Sequence, residues 1–204
     1  MAVLIIDYGI SNIGSVRRAL EECGADVIVS DNPNDLKLAE RIILPGVGAF
    51  GEGMKNLREK DWINGIKEEV FSNNIPLLGI CLGMQLLADK GYEGGEHEGL
   101  GLIPGEVKIL QPNSKGERIP HIGWNEVNRV TSNILLEDIT DGSDFYFVHN
   151  YYFEAKNTEN IIAYTPYCGK FASVINAGNV YGTQFHPEKS IPAGFKLLKN
   201  FINL

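Results

Sequence analysis

Apolar positions along this chain change texture twice. Near the amino end they come as short unbroken runs, at residues 3–6, 27–29 and 42–44. Runs of that length are too short for helices and read as strands buried on both faces. Between the first two, Ile13, Val16 and Leu20 recur at helical spacing, which predicts a helix over Ile13–Glu22 with Gly24 as its stop. Asp31-Asn32-Pro33-Asn34 reads as a loop. Residues 54–72 read as helical material, Leu77-Leu78-Gly79-Ile80 as another buried strand after Pro76, and 84–88 as good helix formers. This alternation predicts a parallel sheet with helices on both faces, whose functional residues lie beyond the carboxyl ends of the strands.

The second texture begins after residues 91–105, a stretch rich in glycine and acid that reads as irregular. Residues 107–110, 145–153, 161–164, 171–176 and 180–185 are β-like runs with short turns between them. They predict antiparallel strands added to the parallel core. No repeat, low-complexity tract or linker interrupts the chain, so residues 1–204 read as a single α/β domain: a central, mostly parallel sheet flanked by helices, with added antiparallel strands.

Charge and composition narrow the partners. A formal charge of −8 argues against nucleic acid or an anionic membrane as the main partner. The 3 cysteines, Cys23, Cys81 and Cys168, form an odd set without metal-ligand spacing, so neither a disulfide framework nor a metal site is expected. The apolar start is too short for a signal peptide and no run reaches membrane-spanning length, so the expectation is a cytoplasmic protein.

Three stretches carry candidate chemistry. Gly79-Ile80-Cys81-Leu82-Gly83 joins a strand to a helix with a glycine two residues either side of a thiol, the pattern of a nucleophile elbow. A sulfur there projects at a helix amino end, where unpaired N–H groups favour thiolate and can hold an oxyanion. The same five residues also fit a structural cysteine in a tight turn. Pro45-Gly46-Val47-Gly48-Ala49-Phe50-Gly51-Glu52-Gly53 has four glycines in nine residues but no Gly-Lys-Ser/Thr, so it reads as a loop of backbone N–H donors or as a plain flexible connection rather than a phosphate loop. His186-Pro187-Glu188 closes the last strand. Residues i and i+2 share a side of an extended chain, so Glu188 can accept from the His186 ring. Alone this is a surface pair; with a cysteine elbow 105 residues earlier it has the logic of a catalytic triad.

These motifs resemble class I glutamine amidotransferases: Gly-Ile-Cys-Leu-Gly-Met-Gln at 79–85, Pro-Gly-Val-Gly-Ala-Phe at 45–50 and Gln-Phe-His-Pro-Glu-Lys-Ser at 184–190. Pro120-His121-Ile122-Gly123-Trp124-Asn125 and Phe145-Tyr146-Phe147-Val148-His149-Asn150-Tyr151-Tyr152 are similar, more narrowly, to the glutaminase subunits of imidazole glycerol phosphate synthases. Ser11-Asn12 stands where that family usually has Gly-Asn, and Asn150 where it usually has Ser or Thr. The resemblance implies a Cys81, His186, Glu188 triad that hydrolyses glutamine to glutamate and ammonia without metal or cofactor. It implies an oxyanion site from the Leu82 N–H and the Val47–Gly48 part of the loop. It places substrate-binding positions at Gly46, Gly48, Gln85, Glu93 and the backbone of His149, Asn150 and Tyr151. It further implies a heterodimer with a (βα)8-barrel cyclase in histidine biosynthesis, faced by Asn12, Trp124, Tyr146 and Lys189, although Trp124 read alone is equally a core residue. Read from their own surroundings, His121 and His149 are otherwise structural, His97 is solvated in its acidic loop, and Cys23, at a helix end before Gly24, and Cys168, in a Tyr-Cys-Gly turn, are structural or incidental. Alternatives that keep part of the pattern are a paralogue supplying ammonia for amination of a surface or nucleotide-activated sugar, a stand-alone cysteine hydrolase, and a non-catalytic module.

Overall fold

The computed structural model describes residues 1–113 and 116–204. Its first half is β1 (Ala2–Ile6), α1 (Ile13–Glu22), β2 (Asp26–Ser30), β3 (Arg41–Leu44), α2 (Phe50–Glu59), α3 (Trp62–Phe71), β4 (Leu77–Ile80) and α4 (Leu82–Leu86). There follow β5 (Lys90–Gly91), β6 (His97–Glu98), β7 (Gly105–Ile109), β8 (His121–Arg129), β9 (Ser143–His149), β10 (Tyr151–Ala155), β11 (Ile161–Thr165), β12 (Phe171–Ala177), β13 (Val180–Thr183) and α5 (Ala193–Ile202). Nine strands form one sheet in the order β2-β1-β3-β4-β13-β12-β11-β8-β9, and β10-β7-β5-β6 form a smaller one. Strands β2, β1, β3, β4 and β13 are mutually parallel, while β12, β11, β8 and β9 continue the large sheet antiparallel.

Strand periodicity divides the core in two. On one face Leu4, Ile6, Ile42, Leu44 and Leu77 pack with Met54, Leu57, Trp62 and Ile66 of α2 and α3. On the other, Val3, Ile5, Ile43, Leu78 and Ile80 pack with Val16, Ala19 and Leu20 of α1 and Leu197, Leu198 and Phe201 of α5. Helices therefore cover both faces, and the parallel strands carry unbroken apolar runs for that reason. Register does the rest. Leu44 lies beside Gly79 and Gly79 beside Gly182, so the chain leaving β3, β4 and β13 emerges at one edge of the sheet. Among the described residues no helix is long and apolar enough to cross a membrane.

Several elements depart from the sequence reading. Strand β13 sits inside the parallel core, between β4 and β12, rather than among the antiparallel additions. All four of its residues are buried, and a fully buried run does not record the direction of its partners. The helical stretch begins at Phe50, inside the glycine-rich segment, and breaks at Asp61, which has φ 57. Two of its glycines serve packing rather than flexibility. A Cβ on Gly53 would lie 3.2 Å from the Leu86 side chain, and one on Gly51 would lie 2.7 Å from the His97 ring. His97 is accordingly half-buried on β6 and not simply solvated. The apolar run 145–153 is two strands parted at Asn150, one in each sheet. The presumed loop after β2 contains a 3₁₀ turn, Pro33–Leu38, begun by Asn32 accepting from the Asn34 N–H. Strand β8 and helix α5 have no counterpart in the pattern reading: Ile122 and Trp124 are exposed, which confuses the alternation of β8.

Candidate active site

At the end of β4 the chain turns into α4 through Cys81, whose φ of 54 and ψ of −108 are rare for a residue with a side chain. Such backbone costs on the order of 1–3 kcal/mol and persists only where the surroundings over-determine it. They do so here. A Cβ on Gly79 would sit 2.6 Å from the Gly83 carbonyl oxygen, and one on Gly83 would sit 1.7 Å from the Leu44 carbonyl oxygen. The Cys81 N–H is held by Thr183 O at 2.8 Å. The thiol is buried, with Val148 O and Gln184 Nε2 each 3.8 Å from Sγ.

Beyond β13 the chain runs beneath β9, where the His186 N–H donates to Tyr146 O at 2.9 Å. His186 Nδ1 donates to Glu188 Oε1 at 2.8 Å, and both side chains are almost wholly removed from water. The 3₁₀ turn Pro187–Lys189 that brings Glu188 back is clamped by Ser190, whose hydroxyl accepts from the Tyr146 N–H and donates to His186 O. Burial by itself lowers the pKa of the ring. The nearness of Cys81 and Glu188 outweighs it and raises the pKa to about 10. Cys81 is thus close enough to act on the ring electrostatically, yet His186 Nε2 is buried with no hydrogen-bond partner among the described residues. In this resting arrangement Nε2 is free to take the Cys81 proton.

The loop after β3 lies over the elbow. Tyr8 donates its hydroxyl to Pro45 O at 2.8 Å, and a Cβ on Gly46 would meet that hydroxyl at 2.3 Å and Leu82 Cβ at 3.0 Å. Burial, followed by the charge of Cys81, pushes the Tyr8 phenol far above its usual range, so the hydroxyl keeps its proton. Gly48 has φ +102, and the Val47 N–H donates to Ile10 O at 3.1 Å. That N–H is therefore committed to the loop after β1.

Val47, Gly48, Cys81, Leu82, Gln85, Glu93, His149, Asn150, Tyr151 and His186 line one cavity of about 470 Å³. A depression of about 520 Å³ between Tyr92, Lys108, Tyr152 and Lys170 is larger, but it contains neither the elbow nor the His186–Glu188 pair, so size does not mark the site. Within the cavity Glu93 Oε2 accepts from the Phe50 N–H at 2.8 Å, at the start of α2, which fixes one acidic group on the wall. Gln85 Nε2 donates to Tyr151 O at 2.8 Å and to Gln184 Oε1 at 3.1 Å. His149 and His121 bond to each other at 3.0 Å, and His149 Nδ1 lies 2.8 Å from Tyr151 O. Both nitrogens of the His149 ring are so occupied. Burial lowers the His121 pKa to about 4 and that of His149 to about 3, and both rings are neutral near pH 7. Among the described residues no group of three or more His, Cys, Asp or Glu is placed to hold a metal ion.

On the far side of β9 from its buried Phe145 and Phe147, Trp124 meets Tyr146 edge to face at 6.1 Å, and Lys189 Nζ lies 5.5 Å from the Tyr146 ring centre. Trp124 is 55% exposed, so the core reading of that residue does not hold. Ile122, two residues along β8, and Val148 opposite it extend the face. Asn12 is half-buried at the start of α1, and its side chain does not cap that helix. Cys23 bonds Phe195 O, and Cys168 sits in a turn whose N–H is held by Glu117; neither thiol lies in the cavity. Tyr8, Gln184 and Ser190 were given no role from sequence. The last two are the ends of the stretch Gln184–Ser190 that contains His-Pro-Glu, and Tyr8 lies two residues past the first strand, so only their position hints at the site.

Residues 4–204 match the family Glutamine amidotransferase class-I. An imidazole glycerol phosphate synthase subunit HisH 1 of Campylobacter jejuni strain RM1221 is 46% identical over 202 residues, covering 99% of this chain and 100% of the relative. A subunit HisH of Moorella thermoacetica is 47% identical over 199 residues, covering 98% of this chain and 93% of the relative. Among solved structures, a chain of PurLQS from Thermotoga maritima superposes with a TM-score of 0.75 at 21% identity, covering 99% of this chain and 97% of that one; this likeness concerns the fold. With the elbow, the sheet and a match over nearly the whole chain in agreement, this protein belongs to the class I glutamine amidotransferases.

Proposed function

We propose that this chain is the glutaminase subunit of an imidazole glycerol phosphate synthase, hydrolysing glutamine and passing the ammonia to a (βα)8-barrel cyclase partner in histidine biosynthesis. The observation that carries the reading is a buried His186–Glu188 pair beside a cysteine held at φ 54, in a chain 46–47% identical to relatives named as that subunit. In the proposed reaction Cys81 gives its thiol proton to His186 Nε2 as Sγ adds to the amide carbon of the glutamine side chain, and the carbonyl electrons move onto oxygen. The Leu82 N–H and an N–H of the Gly46-Val47-Gly48 loop hold that oxyanion. His186 Nε2–H protonates the nitrogen, the C–N bond breaks, and ammonia leaves a γ-glutamyl thioester. Nε2 then takes a proton from water as its oxygen attacks the thioester carbon, and the thiolate departs from glutamate. Glu188 holds the ring through Nδ1 and offsets its charge. Gln85, Glu93 and the backbone of His149 to Tyr151 orient the substrate.

Free ammonia is mostly protonated in neutral water, so synthesis requires delivery across a closed interface. The face formed by Trp124, Tyr146, Lys189 and Ile122 suits that role, since aromatics are common interface anchors and Val148 on the same strand reaches Cys81 Sγ with its carbonyl. The Val47 N–H bond to Ile10 O suits a resting state in which one oxyanion donor is withheld. A missing donor costs roughly 3–4 kcal/mol, on the order of 10²–10³ in rate. The retaining hydrogen bond contributes only about 1 kcal/mol, so a partner with a few kcal/mol of differential binding is sufficient to release it. The test is glutamate release by the chain alone, with the cyclase, and with the cyclase plus its ribonucleotide substrate. The expected result is a rise of about 10²-fold or more on docking. Equal rates in all three would overturn the assignment, and stimulation only by a sugar-aminating partner would move it to that paralogue.

A further inference from the structure

We propose that Gln184 is a positioning residue for the nucleophile: it presents an N–H rather than a carbonyl oxygen to Cys81 Sγ, and this polarity is imposed by the Tyr151 carbonyl through Gln85. The inference rests on Cys81 being the nucleophile and adds what holds its sulfur.

A carboxamide has a donor end and an acceptor end of nearly the same shape, so its direction has to come from its neighbours. Here one neighbour is unambiguous. Tyr151 O is a main-chain carbonyl and can only accept. The Gln85 side chain lies 2.8 Å from it and must therefore offer Nε2. That same nitrogen lies 3.1 Å from Gln184, which must answer with Oε1. The end left over on Gln184 is Nε2, 3.8 Å from Cys81 Sγ. Turning Gln184 over would set two N–H donors against each other and an oxygen against the sulfur. Both glutamines are buried, Gln184 at 0% and Gln85 at 5% exposure, so water does not relieve such a mismatch.

The second lone pair of Tyr151 O is taken in the same sense. His149 Nδ1–H donates to it at 2.8 Å, so His149 Nε2 accepts from His121 Nδ1–H, and His121 Nε2 accepts from Asn125 Nδ2 at 3.3 Å. One carbonyl thus sets every donor direction from Asn125 on β8 to the sulfur of Cys81. At 3.8 Å the contact to a neutral thiol is weak; it strengthens as negative charge builds on sulfur, because hydrogen bonds to ionised acceptors are the strong ones. The consequence is a sulfur held in one orientation with an N–H facing it, independent of any substrate.

The experiment is iodoacetamide alkylation of the full chain, followed residue by residue by mass spectrometry across a pH series, which requires no glutamine turnover. Gln184→Met, close in volume but without the N–H, is expected to slow Cys81 alkylation at pH 7 roughly tenfold and to displace its pH profile upward. Gln184→Glu, which keeps the acceptor toward Gln85 and replaces the N–H by oxygen, is expected to slow it further. Alkylation at the wild-type rate with an unmoved profile in either folded variant overturns the proposal. In the wild-type chain itself, the ¹⁵N-labelled Gln184 side-chain amide is expected to shift as Cys81 ionises, and a resonance indifferent to that event overturns the proposal without any variant. Wild-type Cys81 alkylating no faster than Cys23 would overturn this inference and the glutaminase reading together, whereas a fast wild type with unaffected variants overturns only the role of Gln184.

Discussion

Replacing Glu188 by Gln separates the charge of the carboxylate from its hydrogen bond. The amide oxygen can still accept from His186 Nδ1, as Oε1 does now at 2.8 Å, so the ring keeps its orientation. What disappears is a negative charge beside a ring of which only 3% is exposed. Burial pulls the ring's pKa down, and Cys81 and Glu188 together raise it to about 10. Without Glu188 one of those two contributions is gone. A hydrogen bond to a charged partner contributes about 1.5–3 kcal/mol, which corresponds to a fall in kcat of roughly 10–100-fold. KM is expected to change little, because Glu188 is not on the cavity wall. The same pair has a stability signature. Its folded pKa lies above the ordinary value, so its contribution is complete below about pH 6.5 and is lost as pH rises toward 10. Urea unfolding of wild type and Glu188→Gln is therefore expected to differ by about 1–3 kcal/mol near pH 6 and by less near pH 9.5. A variant with kcat within about twofold of wild type, or a stability gap that widens with pH, would refute the assigned role of the carboxylate.

The elbow makes a second prediction. Gly83→Ala forces a Cβ to within 1.7 Å of Leu44 O, a backbone atom that cannot rotate away, so a loss of about 3 kcal/mol or more in urea unfolding is expected, while Gly14→Ala on α1, with nothing within 4 Å, is expected to be neutral or mildly stabilising. His121 and His149 make a third. Burial holds their folded pKa values near 4 and 3, the unfolded chain takes up protons below about pH 6.5, and stability is expected to fall by about 2 kcal/mol per ring by pH 4.5, with a shallower fall in His149→Gln. An identical acid profile for that variant would contradict the account.

Where residues act through one local pattern, they were legible from sequence. The runs of the parallel strands, the helix ending before Gly24 and the glycines around Cys81 each report a constraint within a few residues, and the structure has each of those elements. Where a residue type answers to something distant, the reading failed. Gly51 and Gly53 looked like a loop, yet they are small because His97 and Leu86 press on them. Residues 145–153 looked like one strand, and nothing near Asn150 reveals that its halves enter different sheets. Strand β13 looked like its antiparallel neighbours, because a fully buried run does not record the direction of its partners. The cavity followed the same division. Cys81, His186 and Glu188 stood out by motif and are brought to one place, whereas Ser190 and Gln184 matter through contacts to Tyr146, Gln85 and Cys81 that only the fold creates.

The most direct measurement is covalent capture by a glutamine analogue bearing a diazo-ketone in place of the side-chain amide. Cys81 lies in the cavity beside Gln85 and Glu93, while burial raises the pKa of both Cys23 and Cys168, which lie outside it. Mass spectrometry of the treated chain is expected to find the adduct on Cys81 alone, with excess glutamine protecting it and Cys81→Ala taking up none. An adduct shared among the three thiols, or confined to Cys168, would contradict the claim that this chain is a glutaminase acting through Cys81.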